Sequence, residues 1–204
     1  MDYIKKKANF HAERSAQEAV KTLVNKHEKT LEARLSTMEN RIESYFWYQK
    51  GELELKNIDY NSAITFFRNA LNKTEDSTLS AYSHHGIGIA YYRLGSYDNA
   101  FNSYEDAIAY KEDYAHAHHN RGVIYKLKEL YDNAIEDFNV AAKLFINERN
   151  YKKAHVSIER LKQVTGLLND KDVSIKDKAE RFIREREEQL KEAKKGTKKL
   201  QNEN

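Results

Sequence analysis

The sequence predicts an all-α chain, with helical hairpins stacked side by side and helical extensions at both ends. Three observations carry this. There is no proline in 204 residues, against an average near 5%, so almost nothing forbids helix. A pattern of tyrosine, small residues and aromatics recurs three times in the middle of the chain. On either side of it, apolar residues return every three or four positions, as on one face of a helix.

The recurring segments are Y-N-S-A-I-T-F-F-R-N-A-L from Tyr60, Y-D-N-A-F-N-S-Y-E-D-A-I from Tyr97 and Y-D-N-A-I-E-D-F-N-V-A-A from Tyr131. Superposing them aligns Ala63, Ala100 and Ala134, then the rings of Phe67, Tyr104 and Phe138, then Ala70, Ala107 and Ala141. Nine residues before each tyrosine stands a glycine: Gly51, Gly88 and Gly122. The second and third units are 34 residues apart and the first two 37, the extra residues falling in the polar T-E-D-S-T-L-S connection. Each unit therefore reads as a hairpin of two helices. The glycines and alanines let the two backbones approach, and the rings fill the space between them. One hairpin cannot bury its apolar face alone, so the units stack.

In this register the chain resembles the tetratricopeptide repeat family. G-I-A-Y-Y-R-L-G-S-Y-D-N-A, starting at Gly88, matches its pattern best, and the unit beginning H-N-R-G-V-I-Y-K-L-K-E-L-Y-D-N-A follows closely. The first unit keeps Trp47 at the family's tryptophan position but has Glu54 where tyrosine is preferred, and Glu75, Glu112 and Ile146 replace the usual closing proline. The resemblance covers residues 44–148 as three repeats, 44–77, 81–114 and 115–148. It implies a right-handed α-α superhelix whose first helices line a concave groove. Carried over by position, that groove takes Tyr45, Tyr48, Gln49, Glu52, Leu55 and Lys56 from the first repeat and Tyr82, His85, Gly86, Ile89, Tyr92 and Arg93 from the second. The third supplies His116, His119, Asn120, Val123, Lys126 and Leu127.

Tyrosine and histidine offer a large contact area with one polar tip and few rotamers to freeze, which suits peptide recognition. The same tyrosines also suit packing between helices. The family's clamp for a partner's C-terminal carboxylate would fall on Tyr48, Glu52, Gly86, His116 and Asn120. None is the residue that the clamp uses there, so binding of that type is not expected.

Five of the eight histidines lie in two clusters, His84-His85 and His116, His118 and His119. His84 and His118 take the fourth position of their repeats, which in the family is a packing position. His116 and His119 share a helix face, and His85 on the neighbouring repeat is expected beside them. Three imidazoles form a conceivable zinc, nickel or copper set, yet no acidic or thiolate ligand has matching spacing. Hence no metal or other cofactor is expected. A milder possibility is a cluster that titrates near neutral pH and favours acidic ligands.

Residues 1–43 read as a charged helical extension. In it Leu31, Leu35, Met38 and Ile42, followed by Tyr45, alternate four- and three-residue steps, a seam that packs on its own domain or zips with a second copy. Residues 149–195 read as helices that cap the stack. The first is Tyr151 to Thr165, ended by Gly166, and Ser174 with Asp177 resembles a capping box at the start of the next. Residues 196–204 read as a disordered tail.

With 35 Lys and Arg against 32 Asp and Glu, the chain lacks the one-sided field that nucleic-acid binding exploits. The absence of cysteine removes disulfides, thiolate metal sites and a cysteine nucleophile. No apolar run reaches the ~20 residues needed to span a bilayer. A cytoplasmic location is therefore expected, although the M-D-Y-I-K-K-K start is compatible with an anchor upstream. The glycines of G-I-G (86–88) sit within helix patterns rather than in a phosphate-cradling loop, and Ser83-His84-His85 is adjacency without triad geometry. The expected function is non-catalytic. A partner protein or peptide is held in the groove by Tyr45, Tyr48, Glu52, Tyr82, His85, Ile89, Tyr92, Arg93, His116, His119, Asn120 and Val123. The alternative is an oligomeric scaffold, a homodimer joined through the N-terminal helix.

Overall fold

A computed structural model describes residues 2–169 and 171–202. Among them are eight α-helices and no strand: α1 (Asp2–Lys56), α2 (Tyr60–Leu71), α3 (Ser77–Arg93), α4 (Tyr97–Tyr110), α5 (Ala115–Leu127), α6 (Tyr131–Asn147), α7 (Tyr151–Thr165) and α8 (Val173–Asn202). The chain divides into two compact units, residues 1–43 and 44–204.

The first unit is helical throughout its described length, and every side chain described there is exposed. No proline or glycine precedes Gly51 to interrupt α1. Val24, Leu31, Leu35, Met38 and Ile42 all stand at the surface.

The second unit is a stack of hairpins. The end of α1 pairs with α2, α3 with α4, α5 with α6, and α7 with α8. Within the repeats the aligned small residues and rings meet. A Cβ built on Gly51 would lie 2.7 Å from the Phe67 ring, one on Gly88 2.4 Å from Tyr104, and one on Gly122 3.0 Å from Phe138. Gly86 meets Phe67 from the other side, at 2.4 Å. Ala63, Ala100, Ala134, Ala70, Ala107 and Ala141 are all completely buried. Each enclosed ring contributes about 2 kcal/mol through burial.

The hairpin turns share one geometry. Ile58, Gly95 and Glu129 adopt positive φ of 65°, 76° and 59°. In each turn the amide after that residue bonds back five positions: Asp59 to Glu54, Ser96 to Tyr91, and Leu130 to Tyr125. Arg149, with φ 58°, makes the same turn between α6 and α7, where the Asn150 amide bonds to the Phe145 carbonyl. Only the second repeat uses glycine, the residue suited to this conformation. Between α2 and α3 no proline is needed, because Asp76 caps α3 by accepting from the Thr78 and Leu79 amides.

Past the third repeat, α7 starts at an Asn150 cap and ends at Gly166. Helix α8 begins at Val173, ahead of the expected Ser174 cap, with the Lys176 amide bonded to the Asp172 carbonyl. It buries Ala179, Arg186 and Leu190 against α6 and α7. The Arg186 Nε donates to Asn139 Oδ1 at 2.9 Å, which satisfies part of that buried guanidinium. Helix α8 runs to Asn202, through most of the segment expected to be a tail, and residues 203 and 204 lie outside the described residues. Among the described residues, no helix is long and apolar enough to cross a membrane.

Candidate functional site

An aromatic row follows the first helices of the hairpins. Tyr48 on α1 leans on Tyr82 of α3 with ring centres 6.4 Å apart. Tyr82 meets Tyr114 at 5.1 Å, and Tyr114 meets both His85 at 5.0 Å and His116 at 5.7 Å. His116 then stands edge-on to Phe145 at 4.9 Å. Tyr48 also touches the buried ring of Phe67. Burial, helped by Glu52 and Tyr82, raises the Tyr48 hydroxyl to about 12. Burial likewise lifts the carboxyl of Glu52, with Lys56 opposing. Tyr48, Glu52 and Tyr82 are half-buried, and the two tyrosines make ring contacts from helix to helix. Tyr45 is exposed, its hydroxyl 3.4 Å from Asp76 at the head of α3.

The histidines part company. His118 is buried, with its Nδ1 3.0 Å from Asp137 Oδ1 and its Nε2 3.0 Å from the Glu112 carbonyl. Arg121 grips the same Asp137 carboxylate from Nε and Nη2 at 2.8 and 2.9 Å. His84 stacks on Tyr110 and faces Asp106. Both act between helices.

His85 is enclosed by Tyr104, Tyr114 and His116. Its Nδ1 faces the Tyr114 hydroxyl at 3.2 Å and its Nε2 faces the Asn120 amide at 2.9 Å. A neutral ring satisfies both, with Nδ1–H donating to the hydroxyl and Nε2 accepting from the amide. His119 shares a 2.8 Å hydrogen bond with the Ser157 hydroxyl on α7, and the Lys153 ammonium bonds to Nε2 of His116.

Burial, with neighbouring positive charge, pushes all three imidazoles down, His85 to about 3 and His116 and His119 each to about 4. At neutral pH they are uncharged, which corrects the expectation of a cluster titrating near pH 7. The expected neighbourhood of His85 and His116 is present, with ring centres 5.9 Å apart. Both nitrogens of His85 are already engaged, however, and among the described residues no group of three or more His, Asp or Glu side chains is placed to hold a metal ion.

Two adjoining pockets share His119 and Asn120. One, of about 190 Å³, is lined by His116, His119, Asn120, Phe145, Lys153 and Val156. The other, of about 320 Å³, is lined by Ile89, Tyr92, Arg93 and Val123, with Tyr104, Arg160 and the shared pair. Of the residues expected in the groove, Ile89, Tyr92, Arg93, His116, His119, Asn120 and Val123 line these pockets. Tyr45, Tyr48, Glu52, Tyr82 and His85 line neither. Sequence reasoning missed Lys153, Val156 and Arg160, all on α7. Their signal is register: counting α7 as a fourth first helix, 34 residues after α5, puts Lys153 and Arg160 at the fifth and twelfth positions.

Comparison with known proteins bears on the fold. Residues 88–129 match the TPR repeat family and residues 115–145 the tetratricopeptide repeat family. No curated protein matches the sequence. Among solved structures, the TPR domain of Arabidopsis OM64 is similar at a TM-score of 0.53 and 23% identity, over 61% of this chain and 98% of that one. The TPR2B domain of yeast Sti1, in its pHsp70 complex, is similar at 0.53 and 15%, over 66% and 99%. MamA is similar at 0.51 and 20%, over 82% and 86%. At such identities the likeness shows the fold alone. Residues 88–145 thus carry tetratricopeptide repeats, and the same kind of hairpin is stacked on either side of them.

Proposed function

We propose that the repeat unit is a non-catalytic interaction module that holds a peptide or helical segment of a partner protein against α3, α5 and α7. The observation that carries this reading is the pair of adjoining pockets, built from three successive first helices and meeting at His119 and Asn120. Apolar walls at Ile89, Val123, Phe145 and Val156 alternate there with fixed polar groups. That mixture suits side chains of an extended ligand, since the apolar walls supply burial and the polar groups fix its register. The complex of the similar yeast Sti1 domain with pHsp70 supports a protein as the partner class.

The test is selection of a displayed random-peptide library on the full chain, with Val156→Asp as the control. Val156 is 43% exposed, so the substitution charges the pocket without touching the core. Enriched peptides that fail to bind the variant support the reading, and equal enrichment on both proteins overturns it.

A second reading has its own observation. Val24, Leu31, Leu35, Met38 and Ile42 are each about half exposed or more on a continuous helix. Their spacing is that of a two-stranded coiled-coil seam, which suits a homodimeric scaffold.

A further inference from the structure

The larger pocket has a charge asymmetry. Arg93 comes from the last turn of α3 and Arg160 from α7, and both side chains are exposed. Among the described residues no carboxylate lines this pocket or its neighbour, whereas Lys153 adds a third cation at the neighbour. Arg160 donates from Nη1 to the neutral amide of Gln163 at 3.0 Å, so its charge is not cancelled by that contact. The Tyr104 ring and the Asn120 amide line the same pocket beside Arg93. The cationic side chains that line the larger pocket are these two guanidinium groups. Two guanidiniums facing one cavity, with amide and hydroxyl groups between them, make a receptor for an anion of carboxylate size. The adjoining His116–Phe145–Val156 pocket is mainly apolar.

We propose that the Arg93–Arg160 pocket takes the side-chain carboxylate of an aspartate or glutamate in the partner segment, while an apolar residue within two positions of it fills the His116–Phe145–Val156 pocket. This rests on the groove reading above and adds a specificity rule to it. The recognised chemistry is an acidic residue beside an apolar one. Neither arginine stands at a position where the sequence places the family's terminal-carboxylate clamp, so a free C-terminus is not required.

The experiment uses the full chain and a displayed octapeptide library. Selected peptides are then synthesised with acetylated N-termini and amidated C-termini, so that the only carboxylates are side chains. Binding is measured by fluorescence anisotropy to wild type, Arg93→Gln, Arg160→Gln and Val156→Asp, each checked for native helix content by circular dichroism. Enriched peptides are expected to carry Asp or Glu within two positions of Leu, Ile, Met or Phe. Either arginine variant should weaken them about 10-fold or more, the loss of one charge-assisted hydrogen bond. Replacing the peptide's acid by its amide should cause a similar loss and abolish the sensitivity to the arginine variants.

Peptides that need Val156 but bind Arg93→Gln and Arg160→Gln as well as wild type overturn this proposal and leave the groove reading standing. Peptides indifferent to all three variants, or the absence of any enrichment, overturn both. In a separate arm, inorganic phosphate is titrated against the wild-type chain. If phosphate binds in an Arg93-dependent way while the acid and amide peptides bind equally, the pocket is a free-anion site and the peptide proposal is overturned.

Discussion

Gly88 and Tyr104 pack so closely that a Cβ on the glycine would lie 2.4 Å from ring atom Cε1. The same sixteen-residue relationship joins Gly51 to Phe67 and Gly122 to Phe138. A ring from the second helix of each repeat thus occupies the volume that a side chain on the first would need. Gly88→Ala should destabilise the protein by about 2 kcal/mol, because overpacking outweighs the better helix propensity of alanine. Gly88→Ala combined with Tyr104→Leu should be less destabilised than the sum of the single changes. Urea denaturation of the four proteins measures both effects.

At the hairpin turns Glu129 holds positive φ with no glycine to ease it. Glu129→Gly should raise stability by about 0.5–1 kcal/mol, the strain relieved exceeding the extra entropy of the unfolded glycine. Gly95→Ala, at the equivalent turn, should lower it by a comparable amount. Thermal melts that show the same sign for both substitutions would refute the shared-turn argument.

Acid should weaken the fold before carboxylates titrate. Because His85 is pushed down to about 3 by burial, the unfolded chain binds its proton below about pH 6.5 while the folded chain does not. Stability is therefore fully retained above pH 6.5 and is lost as pH falls toward the folded value. From His85 alone the loss between pH 6.5 and 5 should be about 1.5 kcal/mol. His85→Gln should flatten this slope in denaturation curves taken across that range.

Asp137, 4% exposed, accepts two hydrogen bonds from Arg121 and faces His118 at 3.0 Å. Asp137→Ala strands both partners, and the expected cost is about 3 kcal/mol. Combining it with Arg121→Met and His118→Leu should recover part of that cost. Failure of the triple variant to recover any stability would show that the cluster is not the origin of the effect.

The exposed seam of α1 predicts concentration-dependent association. In sedimentation equilibrium the full chain should dimerise, and Leu35→Lys with Ile42→Lys should remain monomeric at every concentration while keeping its helix content. A wild-type chain that stays monomeric when concentrated contradicts the scaffold reading.

Repeat signals made the hairpins legible. Gly88, Ala100 and Tyr104 recur in kind because each hairpin must solve the same packing problem, so a spacing of 34 to 37 residues exposed the architecture. Helix α7 escaped the groove assignment because it keeps the register but not the small-residue pattern. Its partner is the long helix α8 rather than another short repeat helix. The histidines were placed on the correct helices. The downward push on His85, His116 and His119 was not legible, because an imidazole's charge depends on how much water its neighbours exclude.

By itself the sequence determined the helical class, the hairpin units and the close contacts within them, since these follow from local periodicity and from side-chain volume at fixed offsets. Only the tertiary structure decided that the rings of Tyr48, Tyr82 and His85 meet in one row across helices, while Arg93 and Arg160, 67 residues apart, line one pocket. The physical reason is that stacking brings together residues from different repeats. Burial and charge at such a meeting point are properties of the assembled surface rather than of any one helix.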